Sequence, residues 1–366
     1  MYLFMVFTLL LILAIGFPKS KELTLAILLY MFFVYSFVYF KGDLQEYEAM
    51  YATDVSGIEF GYLYLMKLGQ LLHIPYQGFR TILGIIYVTL TCIAVCKSTK
   101  YQNLVLILLA IFPLTVFASI VRQGLAYSII SLGFTYLFDK DEKHGILKYV
   151  ICVMIAFSIH YSSILFLLFV ISKFKFTKIK AVFTICVSFL MFMVLLNHER
   201  VMSILGTIGN LLNKESIFKY ATGQVDAPNL IGKISIVFVY MISLLISCFA
   251  YYWSKKKYEK VETSELVFSE RTCATNVYML ILVPFMFNSM VFLRFLYMLS
   301  TINMINLANA IEIDKRLSRS SQFRYCAIFL GVVSMIIMYV YFMLPYHTQG
   351  TLFFDYLFNT KYVWEI

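Results

Sequence analysis

Long apolar segments separated by short basic linkers recur along nearly the whole chain. Each segment is close to the roughly 20 residues that an α-helix needs to cross the hydrocarbon core of a bilayer. We therefore predict an all-α polytopic integral membrane protein with about ten full transmembrane helices. The predicted spans are residues 2–17, 23–40, 79–96, 101–118, 120–138, 181–196, 231–253, 273–290, 291–311 and 325–344.

Composition supports this interpretation and leaves no room for a separate soluble domain. The 366 residues are 61% hydrophobic and 14% charged, whereas a soluble domain has about 25% charged residues. The first segment lacks the basic region and the small-residue cleavage site of a secretory signal, so we interpret it as a retained span. The seven cysteines lie in or beside apolar runs without a CxxC motif, which favours packing residues. Residues 1–366 are thus predicted to form a single transmembrane domain.

The net charge of +10 is explained by membrane orientation rather than by nucleic-acid binding. Six linkers assigned to the cytoplasm hold 20 Lys and Arg against 10 acids, whereas the segments 41–80, 197–233 and 345–366 hold 8 against 10. Cytoplasmic loops carry an excess of Lys and Arg. The count predicts that both termini lie outside.

Residues 144–172 break this alternation, because the linkers on both sides of them carry lysines that favour the cytoplasm. One solution is a re-entrant helical hairpin over about 147–172, broken at 160–163, with His160 at the floor of a cavity reached from outside. Such a break is tolerated where protein buries it or a water-filled cavity meets it. The alternative is one ordinary tilted crossing with four misplaced lysines.

Two arginines, Arg122 and Arg294, lie inside apolar runs. A buried charge there costs about 2.5 to 3.5 kcal/mol even on insertion scales, and Arg122 is only about 5 Å below the predicted outer surface at 1.5 Å per residue. Each could snorkel to the interface or pair with a buried acid. Their matching depth, with His160 nearby, instead favours an anion site, because the guanidinium fork suits phosphate.

The predicted outer loop over 41–78 combines carboxylates with tyrosines, as sugar sites do, although a solvated acidic loop would look the same. Asp43 directly follows the second span. Residues 59–73 are predicted to form a short interfacial helix with apolar side chains available to lipid, namely Phe60, Leu63, Leu68, Leu71 and Leu72. A second outer loop, 197–230, contains a single arginine, Arg200.

Motifs for nucleotide or zinc chemistry are absent from the sequence. It contains no Walker A, GxGxxG, HExxH, GxSxG or DxD-type motif. We therefore predict no cofactor, no metal site and no nucleic-acid partner.

Several short segments resemble the EpsG family of Wzy-type polymerases, which serve exopolysaccharide, capsule and O-antigen synthesis. They are KGDLQEYEAMY with IEFGYLYL, IVRQGLAYSI, IAFSIHYSSIL, RFLYML and LPYHTQG. One departure is that Glu59-Phe60-Gly61 lacks the proline usual in the family at this step.

The resemblance implies a GT-C-like glycosyltransferase of the bacterial cytoplasmic membrane. Its donor would be a growing glycan on undecaprenyl pyrophosphate, transferred at the outer face onto a lipid-linked repeat unit. Membrane lipid is a second partner, and a chain-length co-regulator a third that the family allows. Three other functions stay open: a flippase of the lipid-linked unit, an O-antigen ligase and a membrane acyltransferase.

The chemistry implied by the resemblance assigns roles to particular residues. Arg122 and Arg294 would stabilise the negative charge that develops on the leaving pyrophosphate, with Gln123 as a further hydrogen-bonding group. His160 or Asp43 would act as the general base. The residues predicted to line the acceptor groove are Glu46, Tyr47 and Glu59.

Overall fold

The computed structural model describes residues 2–38, 43–53, 58–174, 176–195, 230–257, 263–287, 290–317 and 321–343. Every extended regular element in that part of the chain is helical. The second outer loop at 197–230 and the LPYHTQG segment lie outside the described residues, apart from Leu230.

The helices follow the predicted spans closely. They are α1 Tyr2–Gly16, α2 Lys21–Phe37, α3 Asp43–Ala52, α4 Phe60–Leu71, α5 Tyr76–Ser98, α6 Gln102–Ile111, α7 Leu114–Ser119, α8 Val121–Phe138, α9 Gly145–Ile159, α10 Lys178–Leu195, α11 Leu230–Lys257, α12 Ser264–Tyr278, α13 Val283–Met286, α14 Phe295–Leu317 and α15 Ser321–Met343. Three 3₁₀ segments are interspersed, Tyr161–Lys173, Met279–Leu282 and Met290–Arg294.

Four continuous helical stretches in the described part are long and apolar enough to cross a membrane. They are Tyr76–Ser98, Gly232–Lys256, Ser264–Met286 and Gln322–Phe342. Shorter apolar helices such as α1 and α9 accompany them. The chain is therefore a membrane protein, and its described part is built from helices.

Two predicted spans differ from the helices in the structure. The span 101–118 is divided into α6 and α7 at Pro113, because proline lacks an amide hydrogen and its ring clashes with the preceding turn of a helix. The span 273–290 begins too late, since α12 starts at Ser264, where the side chain of Thr263 accepts a hydrogen bond from the Leu266 amide at 3.2 Å. A side-chain cap of this kind stabilises the first turn of a helix.

The linkers predicted to be cytoplasmic meet at one end of the bundle, which we call the basic end. The Lys19 Nζ atom lies 3.4 Å from Glu312 Oε1, and the Asn309 amide donates to the Ser98 carbonyl at 3.1 Å. These contacts join three linkers that are distant in sequence. Which end faces the cytoplasm remains a prediction from the charge count.

The segment that broke the alternation forms a helix, a reversal and a second helix. After α9, His160 has an extended backbone with φ −152° and ψ 112°, and the 3₁₀ segment Tyr161–Lys173 follows. The Tyr149 hydroxyl donates to the Phe166 carbonyl at 2.7 Å, although a continuous helix would place residues 17 apart at about 25 Å from each other. The predicted break at His160 is confirmed, and one straight helix over this segment is excluded.

Both ends of this hairpin lie at the basic end of the bundle. The Lys173 ammonium donates to the Asp139 carbonyl at 3.0 Å, just after α8 ends. The linker that follows the hairpin is therefore brought back beside the linker that precedes it.

A re-entrant hairpin predicts that residues directly after it face the cytoplasm. In a background without native cysteines, we expect Lys178→Cys, which is exposed at the start of α10, to resist a membrane-impermeant maleimide added to intact cells and to react after permeabilisation. Glu48→Cys, exposed on α3 in the predicted outer loop 41–78, is the control that should react from outside. Labelling of Lys178→Cys in intact cells would contradict the re-entrant arrangement.

Candidate functional site

A polar cluster lies at the end of the bundle opposite the basic end. It consists of Glu59, Arg122, His160 and Arg294, and we call it the Glu59 cluster. Glu59 directly precedes α4, Arg122 lies in the first turn of α8, His160 forms the tip of the hairpin and Arg294 directly precedes α14. Four separate elements thus bring these side chains together.

The members of the cluster form a continuous chain of contacts. Arg122 Nη1 lies 2.6 Å from Glu59 Oε2, and Glu59 Oε1 lies 3.3 Å from His160 Nδ1. The same Oε1 atom accepts a hydrogen bond from the Tyr161 amide at 3.3 Å. On the far side of the ring, Arg294 Nη1 lies 3.2 Å from His160 Nε2. The two arginines therefore flank a carboxylate and an imidazole.

Glu59 carries its negative charge at neutral pH. Burial of the carboxyl raises its pKa, but the His160 ring and the Arg122 guanidinium outweigh that effect and lower the pKa of Glu59 to about 2. Only 8% of the Glu59 side chain is exposed, against 21% for Arg122. The cation is thus the member of the ion pair that an incoming ligand reaches more easily.

The donors around His160 determine which ring nitrogen carries the proton. A guanidinium group can only donate hydrogen bonds, so Arg294 donates and His160 Nε2 accepts. The imidazole is then neutral, with its proton on Nδ1 facing the Glu59 carboxylate. This assignment follows from the chemistry of the neighbouring groups rather than from a hydrogen position.

Two tyrosine rings enclose the Arg122 guanidinium. Its central carbon lies 5.1 Å from the centre of the Tyr47 ring and 5.8 Å from that of Tyr62, and both tyrosines are buried. Cations over aromatic faces are attracted by the ring quadrupole. The sequence left open whether Arg122 snorkels, pairs with a buried acid or binds an anion. In the structure it pairs with a buried acid, Glu59.

The other predicted site residues differ in how deeply they are buried. Gln123 is buried beside Arg122. Tyr47, predicted to line an acceptor groove, packs on Arg122, and Glu46 on the same helix is exposed. Asp43 begins α3 one turn before Tyr47, and its side chain lies outside the described set.

Arg80 is a buried cation that the sequence analysis did not single out, because it counted this residue with the outer loop. It is 2% exposed and donates to the carbonyls of Tyr35 at 2.7 Å and Val38 at 2.8 Å. A cation at a helix C-terminus satisfies carbonyls that have no partner within the helix. The signal that could have identified it was its position in the first turn of the predicted span 79–96, which is otherwise apolar. A third donation, to the Ala118 carbonyl at 3.5 Å, links the end of α2 to α7.

Gly61 allows α4 and α9 to approach each other closely enough for Glu59 to reach His160. A Cβ atom at position 61 would overlap Ser158 Oγ and lie 2.8 Å from the Ser158 carbonyl oxygen. Only glycine fits such an approach of one backbone to another. The spacing of α4 from the hairpin therefore depends on this residue.

The predicted interfacial helix is present in the structure as α4, with one face packed on the protein and the opposite face exposed. Tyr62, Met66 and Gly69 are buried on one face of α4. The exposed face carries large apolar side chains, as expected for a helix lying at a membrane surface. They are Phe60, Tyr64, Leu68 and Leu71, with Leu72 directly after the helix. Leu63 is only partly exposed.

A cavity of about 560 Å³ lies at the basic end, far from the Glu59 cluster. Its lining includes Lys97, Asp139 and Glu142. Because its linkers are predicted to be cytoplasmic, this cavity does not suit a substrate that enters from the outer leaflet.

Comparison with known proteins identifies the family. The model of the EpsG family matches residues 21–356, nearly the whole chain. No curated protein and no solved structure gives a significant match. The resemblance inferred from the sequence motifs is confirmed: this chain belongs to the EpsG family, a family of Wzy-type polymerases.

Proposed function

We propose that this protein is a metal-independent glycosyltransferase that lengthens a lipid-linked glycan. Its donor is a growing chain on undecaprenyl pyrophosphate, and its acceptor is a single lipid-linked repeat unit at the outer face of the bacterial cytoplasmic membrane. The observation that carries the proposal is the convergence of Arg122 and Arg294 on either side of the Glu59–His160 pair.

The cluster suits an anionic leaving group. Arg122 lies at the N-terminus of α8, where the helix dipole disfavours a cation and favours an anion. In the structure, the carboxylate of Glu59 compensates the positive charge of Arg122. A pyrophosphate would offer both arginines more charge than one carboxylate does, and preorganised cations of this kind stabilise charge that develops in the transition state.

His160 is our choice for the general base. Its ring already presents an unprotonated Nε2, which Arg294 covers at 3.2 Å. When the pyrophosphate draws Arg294 toward itself, Nε2 becomes free to accept the proton of the attacking sugar hydroxyl. Asp43 remains the second candidate, and it could instead orient the acceptor.

Glycosyl transfer then needs no cofactor. The acceptor oxygen forms a bond to the anomeric carbon while His160 takes its proton. The bond from that carbon to the pyrophosphate oxygen breaks, and its electron pair leaves with undecaprenyl pyrophosphate. Both lipid tails would reach the site from the bilayer, beside the apolar face of α4.

A transport function is less compatible with this arrangement. Substrate sites of secondary transporters lie near the bilayer midplane, whereas Arg122 occupies the first turn of its helix. A ligase is disfavoured because the outer loop 197–230 contains a single arginine, Arg200, whereas an arginine-rich loop would favour it.

The function is tested with purified protein in lipid nanodiscs and a defined undecaprenyl-pyrophosphate-linked repeat unit. We expect a ladder of longer lipid-linked glycans without added nucleotide or metal. The His160→Ala variant at equal protein concentration should form no ladder and serves as the negative control. Intact wild-type protein that leaves the repeat unit as a monomer would contradict the proposal.

A further inference from the structure

Both carboxylate oxygens of Glu59 are engaged by groups of the protein, which acceptor binding would not require. Its Oε2 atom pairs with Arg122, and its Oε1 atom accepts from the Tyr161 amide and faces His160 Nδ1. With 8% of its side chain exposed, the carboxylate has little capacity left for a sugar hydroxyl. Its partners are instead the groups proposed to carry out the reaction.

We propose that Glu59 is a positioning residue for His160, which keeps the imidazole proton on Nδ1 and stabilises the positive charge that forms when Nε2 accepts a proton. This inference rests on the proposed function. It replaces the expectation that Glu59 lines the acceptor groove.

The charges around the ring explain why a carboxylate is needed. Among the residues that the structure describes, three charged groups face His160: Glu59 from the segment before α4, Arg122 from α8 and Arg294 from the segment before α14. Both arginines oppose a positive charge on the imidazole. Among these groups only the Glu59 carboxylate favours it, so an imidazolium can form there only if this charge is present.

The carboxylate also fixes the direction of proton transfer. A neutral imidazole has one donor nitrogen and one acceptor nitrogen. With the proton on Nδ1, which lies 3.3 Å from Glu59 Oε1, the lone pair of Nε2 points to the side that Arg294 occupies. Proton transfer from the acceptor hydroxyl then forms the bond from Nε2 to hydrogen, while Nδ1 keeps its own proton.

The first test compares Glu59→Gln with Glu59→Asp in the polymerisation assay. Glutamine keeps the shape and a hydrogen-bond acceptor but loses the charge, so we expect kcat to fall about 100-fold, within the range of general-base catalysis. We also expect the acidic limb of the pH profile of kcat/KM to move to lower pH by about one unit, because the carboxylate no longer favours the protonated ring. Glu59→Asp should recover part of the rate.

The control for this comparison is Glu22→Gln, an exposed carboxylate at the basic end, which should change neither kcat nor the pH profile. A Glu59→Gln protein with normal kcat, an unchanged profile and a raised KM for the acceptor would overturn the inference and restore the acceptor-binding role. Unaltered kinetics would overturn it as well. If wild-type protein forms no ladder, the proposed function fails instead.

A second measurement does not depend on activity. Nitrogen NMR of ¹⁵N-histidine-labelled wild-type protein, with the His160 signals identified by their loss in His160→Gln, reports the tautomer directly. We expect a protonated Nδ1 and an unprotonated Nε2. A proton on Nε2 in the wild-type protein would overturn the inference whether or not the protein polymerises glycans.

Discussion

Replacement of Arg122 or Arg294 by alanine is expected to abolish the ladder of long glycans in a deletion strain when the variant and the wild type are compared at equal protein level. Each substitution removes a preorganised cation from the leaving pyrophosphate, and the loss of one such group lowers the rate about 100- to 1,000-fold. Arg122→Lys and Arg294→Lys keep the charge but lose the planar fork. They should give short products rather than none.

The level of each variant has to be measured beside its product. Arg122→Ala leaves the buried Glu59 carboxylate without its nearest cation, and breaking a buried ion pair in this way is destabilising. Lys67→Ala removes an exposed cation from α4 and should leave the ladder unchanged. A wild-type ladder from Arg122→Ala would refute the role of this arginine.

Replacement of Gly61 by alanine is the second change with a large expected effect. The added methyl group would meet both the side chain and the backbone carbonyl of Ser158, and a backbone atom cannot turn aside as a flexible side chain can. Helix α4 must therefore move away from α9, which separates Glu59 from His160. We expect polymerisation to fall at least about tenfold, since small displacements of catalytic groups carry such costs.

Two comparisons make this prediction specific. Gly16→Ala adds a methyl group where no heavy atom lies within 4 Å, so it should behave as wild type. Gly61→Ala combined with Ser158→Ala removes the hydroxyl but not the carbonyl oxygen, so it should restore activity only in part. A normal ladder from Gly61→Ala would mean that the spacing of α4 and α9 does not control the site.

The positions of the helices were predictable because membrane spans depend on local composition. The break at His160 was also predictable, since two lysine-bearing linkers required the same side of the membrane. The approach of Arg122, His160 and Arg294 followed from the cost of a charge in hydrocarbon, which is offset only when polar groups gather. Each of these inferences uses only the composition of one segment, or a simple rule on charge that relates one segment to another.

The parts that could not be predicted depend on contacts between distant segments. Glu59 looked like one of several carboxylates in an acidic loop, and nothing in the loop itself reveals that α4 packs on α9 through Gly61. Arg80 was counted with the outer loop, because its carbonyl partners lie at the end of α2, about 40 residues earlier in the chain. Helix packing, rather than local pattern, gives these residues their roles.

The most direct test of the central claim is a structure of the protein with undecaprenyl pyrophosphate bound. We expect the pyrophosphate between Arg122 and Arg294, in contact with both guanidinium groups, and Arg294 withdrawn from His160 Nε2. A pyrophosphate bound elsewhere, with the contacts of Arg122 to Glu59 and of Arg294 to His160 unchanged, would contradict the claim that this cluster receives the leaving group.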